Sequence, residues 1–234
     1  MSQQPRGPDG DVSPPAAGDA PPAPSRRAPF WKNPFLIAFV VGAAVLTILP
    51  IVQKSMLSAP PPIASLGQWQ LVDESGRPYG SNDLKGTVWI ASFFFTHCPS
   101  LCPKQQADMG KILNHIDDLA NKPGVAPIKL VSFTVDPDND TPAELMAYMK
   151  RLHAPLGTWK YLTGPHDQIE NLLVKKFLVA MGKKDGSTGD IAHVSKFVLV
   201  DQNGDVRGFW DTDELARGNL INAARLLAKR GPRP

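Results

Sequence analysis

The spacing of apolar residues predicts alternating strands and helices from residue 69 onward. A nearly continuous apolar run at 87–95 is typical of a central strand covered on both faces, and 128–135 repeats this pattern. Apolar positions at helical spacing predict a helix at 101–119. Further strands are predicted at 69–72, 159–162, 196–200 and 206–210, and further helices at 141–153, 166–177 and 215–229.

Three short polar motifs separate these elements. Ser75-Gly76-Arg77-Pro78 predicts a turn, Thr141-Pro142-Ala143-Glu144 predicts a capped helix start, and Asp201-Gln202-Asn203-Gly204 predicts the turn of a hairpin. Strands that alternate with helices, followed by a hairpin and a last helix, predict a thioredoxin-like α/β sandwich with a small N-terminal addition.

An uncharged apolar segment at 33–53 precedes this domain. Its length fits a transmembrane helix, with Pro34 in the first turn where its missing N–H costs nothing. Arg26, Arg27 and Lys32 come before it, so the positive-inside rule places the N-terminus in the cytoplasm and residues 55–234 outside. A cleaved signal peptide is the alternative, although its apolar region is usually shorter.

The remaining segments complete the predicted domain organisation. Residues 1–32 are rich in proline, alanine and glycine and predict a disordered cytoplasmic tail. Residues 54–62 form a proline-rich spacer, and 63–234 form the thioredoxin-like domain. The tail contains acidic residues, whereas a mitochondrial transit peptide would be rich in arginine and poor in acidic residues. The tail therefore favours a protein of a bacterial membrane.

Charge and cysteine content narrow the possible functions. The chain has a formal net charge of +3 without a basic stripe, so we expect no nucleic-acid partner. Its two cysteines are too few for a disulfide-rich secreted scaffold.

The two cysteines, Cys98 and Cys102, follow the predicted central strand. On a helix a four-residue step places both sulfurs on one face, with Cα atoms about 6 Å apart. The spacing fits a dithiol/disulfide couple, a metal clasp or a structural disulfide. We expect the helix N-terminus to lower the pKa of the thiols and stabilise thiolate.

A histidine could complete a metal site with these thiols, because two thiolates and one imidazole suit copper. His193 precedes the strand at 196–200, in a loop that faces the cysteines in thioredoxin-like folds. His97 adjoins Cys98 but would point away if its backbone were extended. The other histidines, expected at solvated or capping positions, are His115, His153 and His166.

The sequence resembles the Sco/SenC family in three places. These are Thr96-His97-Cys98-Pro99 with Cys102-Pro103, then Val135-Asp136-Pro137-Asp138-Asn139-Asp140-Thr141-Pro142, then His193 before Phe197-Val198-Leu199-Val200-Asp201. The resemblance covers roughly residues 63–230 together with the N-terminal anchor. Many relatives have an acidic residue in place of Ser100 and a basic residue in place of Asn139.

This resemblance implies a membrane-tethered thioredoxin-like protein of the bacterial inner membrane, with its domain in the periplasm. It implies that Cys98, Cys102 and His193 bind copper, as Cu(I), Cu(II) or both. The implied partner is the copper-bearing subunit of cytochrome c oxidase, whose dinuclear copper centre the protein would help to assemble, or another cuproprotein.

Other functions use the same residues. A thiol–disulfide oxidoreductase would use Cys98 and Cys102 to keep the cysteines of a cuproprotein reduced, without needing His193. Peroxiredoxin or glutathione-peroxidase chemistry needs one activated cysteine, and a redox or copper sensor needs a partner domain. Met109, Met146 and Met149 fit core packing better than a thioether copper site.

Overall fold

The structure is a computed structural model that describes residues 33–56, 59–98, 101–117, 122–155, 157–179, 181–184, 191–193 and 195–231. Only the backbone is described at 53–56, 101, 181–184 and 191–193. The chain divides into two units, residues 1–53 and 54–234. The predicted tail at 1–32 lies outside the described residues, and the predicted domain boundaries stay predictions.

The first unit contains helix α1 (Pro34–Met56). The Asn33 side chain caps its start, accepting a hydrogen bond from the Phe35 N–H at 3.0 Å. The stretch Pro34–Val52 is long and apolar enough to cross a membrane, and none of it is buried within the protein. The helix predicted at 33–53 is therefore present, and a membrane is one environment that would cover its exposed apolar side chains.

Ten strands are found in the described part of the second unit. Eight form one sheet in the order β1-β10-β9-β4-β5-β6-β2-β3, and β7 and β8 pair separately. The strands are β1 (Ala64–Ser65), β2 (Gln70–Asp73), β3 (Pro78–Gly80), β4 (Val88–Phe94), β5 (Ile128–Thr134), β6 (Trp159–Thr163), β7 (Met181–Lys184), β8 (Ile191–His193), β9 (Lys196–Val200) and β10 (Asp205–Asp211). Strands β4, β5 and β6 are parallel, and the other pairs are antiparallel.

Four helices of the second unit are α2 (Leu101–Ile116), α3 (Pro142–Leu152), α4 (His166–Glu170) and α5 (Glu214–Arg230). Thr141 caps α3 as predicted, because its side chain accepts a hydrogen bond from the Glu144 N–H at 3.3 Å. A π-helix (Asn171–Lys176) continues α4. The helix predicted at 166–177 is therefore present, but the sequence pattern did not predict its π-helical part. Helix α2 ends earlier than predicted, and residue 119 lies outside the described residues.

Strand β4 is the centre of the core, and all seven of its residues are buried. Its side chains alternate between the two faces of the sheet. On one face Phe93 contacts Phe177, with ring centroids 5.4 Å apart. On the other face Phe94 stacks on Tyr148 of α3 at 5.4 Å. Helical segments therefore cover both faces, which confirms the predicted thioredoxin-like α/β class and the doubly covered central strand.

The topology also determines which segments meet at one edge of the sheet. Strands β4 and β5 are parallel, with Phe94 opposite Thr134, so both end at the same edge. Strand β9 is antiparallel to β4, with Trp89 opposite Val200, so β9 begins at that edge. The residues that follow β4 and β5 and those that precede β9 therefore come together there.

Candidate functional site

A tight turn carries the first cysteine. Strand β4 ends at Phe94, and the Cys98 N–H then donates a hydrogen bond to the Phe95 carbonyl at 3.3 Å. Cys98 therefore precedes α2, which begins at Leu101. The expectation that both cysteines share one helical face is wrong in this detail, because the turn places Cys98 before the helix.

The turn nevertheless brings the two thiols together. The Cys102 N–H, in the first turn of α2, donates a hydrogen bond to Cys98 Sγ at 3.4 Å. Both cysteines are free and buried, with Cys98 7% exposed and Cys102 fully covered. Two soft sulfur ligands are thus preorganised at the N-terminal end of one helix.

The protonation of Cys102 differs from the expectation. Burial raises the pKa of its thiol strongly, and contact with Cys98 adds to this, although a backbone hydrogen bond at Phe95 acts in the opposite direction. Desolvation of a thiolate outweighs the helix N-terminus here. The raised pKa favours the thiol form of Cys102, and binding of a metal through its sulfur would release this proton.

The Asp140 side chain, in the segment between β5 and α3, fixes the cysteine turn. Its buried carboxylate accepts hydrogen bonds from the Thr96 N–H at 3.2 Å and from the Thr96 hydroxyl at 2.5 Å. The Thr134 hydroxyl, at the end of β5, donates to the other carboxylate oxygen. This carboxylate therefore joins the ends of β4 and β5 immediately before the cysteines.

The sequence analysis did not single out Asp140, which follows Asp136 in the second motif shared with the family. The Asp136 carboxylate accepts from the Asn139 side-chain amide at 2.9 Å, and its carbonyl accepts from the Asp140 N–H at 2.9 Å. Asp136 thus holds the turn that directs Asp140 inward. A second aspartate four residues on, just before the Thr141 cap, was the available signal.

His97 lies on the cysteine turn and is exposed. Its Nδ1 is 2.9 Å from the Thr96 hydroxyl oxygen. The backbone there has left the extended conformation, because the turn begins at Phe95. The reason for expecting its ring to point away from the site therefore does not apply.

His193 ends the short strand β8 rather than lying in a loop as predicted. Its cross-strand partner in β7 is Met181. Strand β9 begins three residues later, and the Gln105 side chain on α2 donates to the Lys196 carbonyl at 3.4 Å. The His193 backbone thus precedes the strand that starts at the cysteine edge.

The described side chains do not include the imidazole of His193. Among them, no three histidine, cysteine or acidic side chains form a group that could hold a metal. Cys98 and Cys102 are brought together, and the participation of His193 stays a prediction.

The remaining histidines occupy the surface positions that were expected. His115 is exposed on α2, with Nδ1 2.8 Å from the Lys111 carbonyl. His153 ends α3 in a left-handed conformation, and His166 begins α4 and contacts Asp138. Met109 and Met149 are buried in the core, as predicted.

Comparison with known proteins gives a consistent result. The SCO1/SenC family profile matches residues 59–228. The SCO1 protein homolog of Bacillus subtilis is 33% identical over 137 residues, which cover 57% of this chain and 67% of that protein. An SCO2-like protein of Rickettsia felis is 34% identical over 143 residues, 59% of this chain. The match spans 65% of the Rickettsia protein, slightly less than two thirds.

Solved structures of similar fold include an SCO1/SenC family lipoprotein from Bacillus anthracis. It has a TM-score of 0.65 and 30% identity, covering 73% of this chain and 99% of its own. BsSco, a Sco-family cytochrome c oxidase assembly protein with an identified disulfide switch, has a TM-score of 0.64 and 25% identity, covering 73% of this chain and 98% of its own. Yeast Sco1 with copper bound has a TM-score of 0.55 and 25% identity, covering 68% and 87%.

Proposed function

Because this chain belongs to the SCO1/SenC family, we propose that it binds copper through Cys98, Cys102 and His193 and delivers it to a cuproprotein. The proposed recipient is the copper-bearing subunit of cytochrome c oxidase, at its dinuclear centre. Support comes from the copper-bound yeast relative and from BsSco, a relative in the oxidase assembly family.

The observation that carries this proposal is the placement of two buried free thiols at the start of α2, where the Cys102 N–H donates a hydrogen bond to Cys98 Sγ. Two neighbouring sulfur ligands shielded from water can hold a soft cation such as Cu(I). The segment that includes His193 leads into β9 at the same edge, where an imidazole would complete a three-ligand set.

Copper is the cargo of this protein, and its transfer is an exchange of ligands. Each cysteine releases a proton when its sulfur bonds to copper and regains one when copper leaves. No electron moves if copper remains Cu(I).

We further propose that α1 anchors the protein in a bacterial inner membrane, with the domain in the periplasm. The apolar stretch of α1 supports a single span, and the preceding Arg26, Arg27 and Lys32 support a cytoplasmic N-terminus. This location would place the thiols on the periplasmic side, which faces the proposed recipient.

The test is copper stoichiometry of the reduced full-length chain in detergent. Wild type should retain one Cu(I) per chain, whereas Cys98→Ser and His193→Ala should lose tight binding. His115→Ala removes an exposed histidine from the same domain and should bind as wild type does. A wild-type chain that retains no copper would refute the proposal.

A second candidate function is thiol–disulfide exchange with the cysteines of a cuproprotein. The two free cysteines held together by the bond from the Cys102 N–H to Cys98 Sγ favour it, and BsSco contains a disulfide switch. His193→Ala separates the two functions, since dithiol exchange should survive this substitution while copper binding should not.

A further inference from the structure

His97 is the exposed histidine nearest in sequence to the buried thiols. It is the residue before Cys98 and lies on the same turn. Cys98 is only 7% exposed and Cys102 is fully covered. The imidazole is therefore an accessible ligand group on the turn that carries thiols which solvent barely reaches.

The hydrogen bonds around Thr96 determine which ring nitrogen of His97 has the lone pair that could bind a metal. The Thr96 hydroxyl has one proton and donates it to the Asp140 carboxylate at 2.5 Å. In its 2.9 Å contact with His97 Nδ1, the Thr96 oxygen must therefore accept, so Nδ1 carries the proton. The lone pair of the neutral ring then resides on Nε2.

This arrangement is the one that metal-binding histidines commonly have. Such an imidazole usually donates its other N–H to an oxygen that is itself held in place, which fixes both the tautomer and the orientation of the ring. Here Thr96 is that oxygen, and buried Asp140 holds Thr96.

We propose that His97 Nε2 is an entry ligand, the first protein group to take Cu(I) from a donor before the metal reaches Cys98 and Cys102. This inference rests on the proposed copper-binding function and adds a kinetic role to it. His97 is not a member of the final ligand set.

The steps balance as ligand exchange. The Nε2 lone pair bonds to Cu(I) as one donor ligand leaves. The sulfurs of Cys98 and Cys102 and the imidazole of His193 then replace the remaining donor ligands and Nε2, and each thiol gives its proton to solvent buffer. Copper remains Cu(I), and the imidazole ends as it began.

His115 offers a matched control on the same domain. It is also exposed, and its Nδ1 lies 2.8 Å from the Lys111 carbonyl, which can only accept, so Nε2 has the lone pair. It lies thirteen residues after Cys102 on α2, about 20 Å along the helix axis. It shares the chemistry of His97 without the location.

The experiment is stopped-flow transfer of Cu(I) from a chromophoric chelator to the reduced, full-length chain in detergent without oxygen. His97→Gln should slow uptake by about tenfold, equivalent to about 1.4 kcal/mol in the barrier. The final stoichiometry should match wild type, and His115→Gln should transfer at the wild-type rate. Thr96→Val, which keeps the side-chain shape but removes the hydroxyl, should slow uptake less, whereas Thr96→Ser should restore it.

Each result decides between the alternatives. Unchanged uptake in His97→Gln would overturn the proposal, and so would a lost copper ion, because His97 would then be a permanent ligand. A wild-type chain that takes up no copper would instead refute the proposed function. The uptake rate of His97→Gln therefore tests the entry-ligand proposal, and the copper loading of wild type tests the proposed function independently.

Discussion

Asp73 and Asp140 are both buried in the second unit, but different partners hold their carboxylates. Asp73, on β2, accepts a hydrogen bond from the Lys160 ammonium at 2.8 Å, and Lys160 also binds Glu74 at 2.8 Å. Among the described residues, hydrogen bonds to the Asp140 carboxylate come from Thr96 and Thr134, which are neutral donors.

The pKa values of the two aspartates shift in opposite directions. Burial opposes ionisation of Asp73, but hydrogen bonds from Lys160, Ser75 and Arg77 outweigh it and lower its pKa to about 2. Burial raises the pKa of Asp140, and the hydrogen bonds from Thr134 and Thr96 only partly offset this. The first carboxylate stabilises the fold with a paired cation, while the second orders the thiol turn without one.

This difference matters for a site that receives a cation. A lysine or arginine beside Asp140 would neutralise the carboxylate and repel copper from the adjacent turn. Neutral hydroxyl donors instead position the turn without adding a positive charge beside the thiols.

The largest effect should follow loss of the cation in the Asp73 cluster. Lys160→Met leaves the carboxylates of Asp73 and Glu74 buried beside each other, which should cost about 3 kcal/mol or more of unfolding free energy. Lys129→Met, at a half-buried lysine on β5, is the matched control and should change stability by less than about 1 kcal/mol. Urea unfolding measures both, and equal losses would show that the cluster is not specifically stabilising.

Removing the other carboxylate should cost somewhat less. Asp140→Ala leaves two threonine hydroxyls and a backbone N–H without their acceptor, for a loss of about 2–3 kcal/mol. Asp138→Ala, two residues away at a side chain that is 71% exposed, should cost less than about 0.5 kcal/mol. Thermal unfolding with equal midpoints for the two variants would contradict the structural role of Asp140.

Acid titration should distinguish the two aspartates by sign. Because the pKa of Asp73 falls from 3.8 to about 2 on folding, its contribution is present above pH 3.8 and is lost as pH falls. Lowering the pH from about 5 to about 2.5 should remove about 2 kcal/mol through Asp73, and Asp73→Asn should show less of this acid loss.

For Asp140 the sign is reversed. Its raised pKa means that the folded chain holds this proton more tightly. Acidification from above this raised pKa down to the ordinary value of 3.8 therefore adds stability. Asp140→Asn lacks this gain and should lose stability more steeply in acid than wild type. Urea unfolding free energies across the pH series measure both slopes, and parallel slopes for Asp73→Asn and Asp140→Asn would contradict the comparison.

The sequence predicted the position of the cysteine turn that Asp140 holds, but it did not predict the position of the Asp73 cluster. It predicted the hydrogen-bond partners of neither aspartate. Strand β4, helix α2 and the Thr141 cap follow from local apolar spacing and capping chemistry, and the cysteines identify the site. Asp140 reaches Thr96 across forty-four residues, and Lys160 reaches Asp73 across eighty-seven. Such pairings depend on strand order, which local periodicity does not specify.

The paired strands around His193 show a second limit. Strand β7 and strand β8 are short, and the intervening sequence at 185–190 consists of glycine and polar residues. Apolar alternation is too brief there to predict strands. The loop expected at His193 is instead the end of strand β8, and its backbone pairing with Met181 was not predicted.

The smallest effect tests whether the comparison extends to uncharged groups, through two neighbouring glutamines on α2. Both polar atoms of the Gln106 side chain make hydrogen bonds. Its Oε1 accepts from the Ser132 hydroxyl at 3.2 Å and from the Tyr161 hydroxyl at 3.0 Å, and its Nε2 donates to the Ser92 hydroxyl at 3.4 Å. Gln105 is equally buried, but its Oε1 has no hydrogen-bond partner among the described residues, and its Nε2 makes one 3.4 Å bond to Lys196.

Methionine has nearly the shape of glutamine without its polar atoms, so the same substitution at both positions isolates hydrogen bonding. Gln106→Met should cost about 1–3 kcal/mol, because the hydroxyls it engages lose their partner in the core. Gln105→Met should change stability by less than about 0.5 kcal/mol, because removing an unsatisfied oxygen offsets the loss of one long hydrogen bond. Urea unfolding of both variants measures the difference. A large loss in Gln105→Met would show that this glutamine holds the start of β9, and with it the His193 segment, more firmly than its single bond indicates.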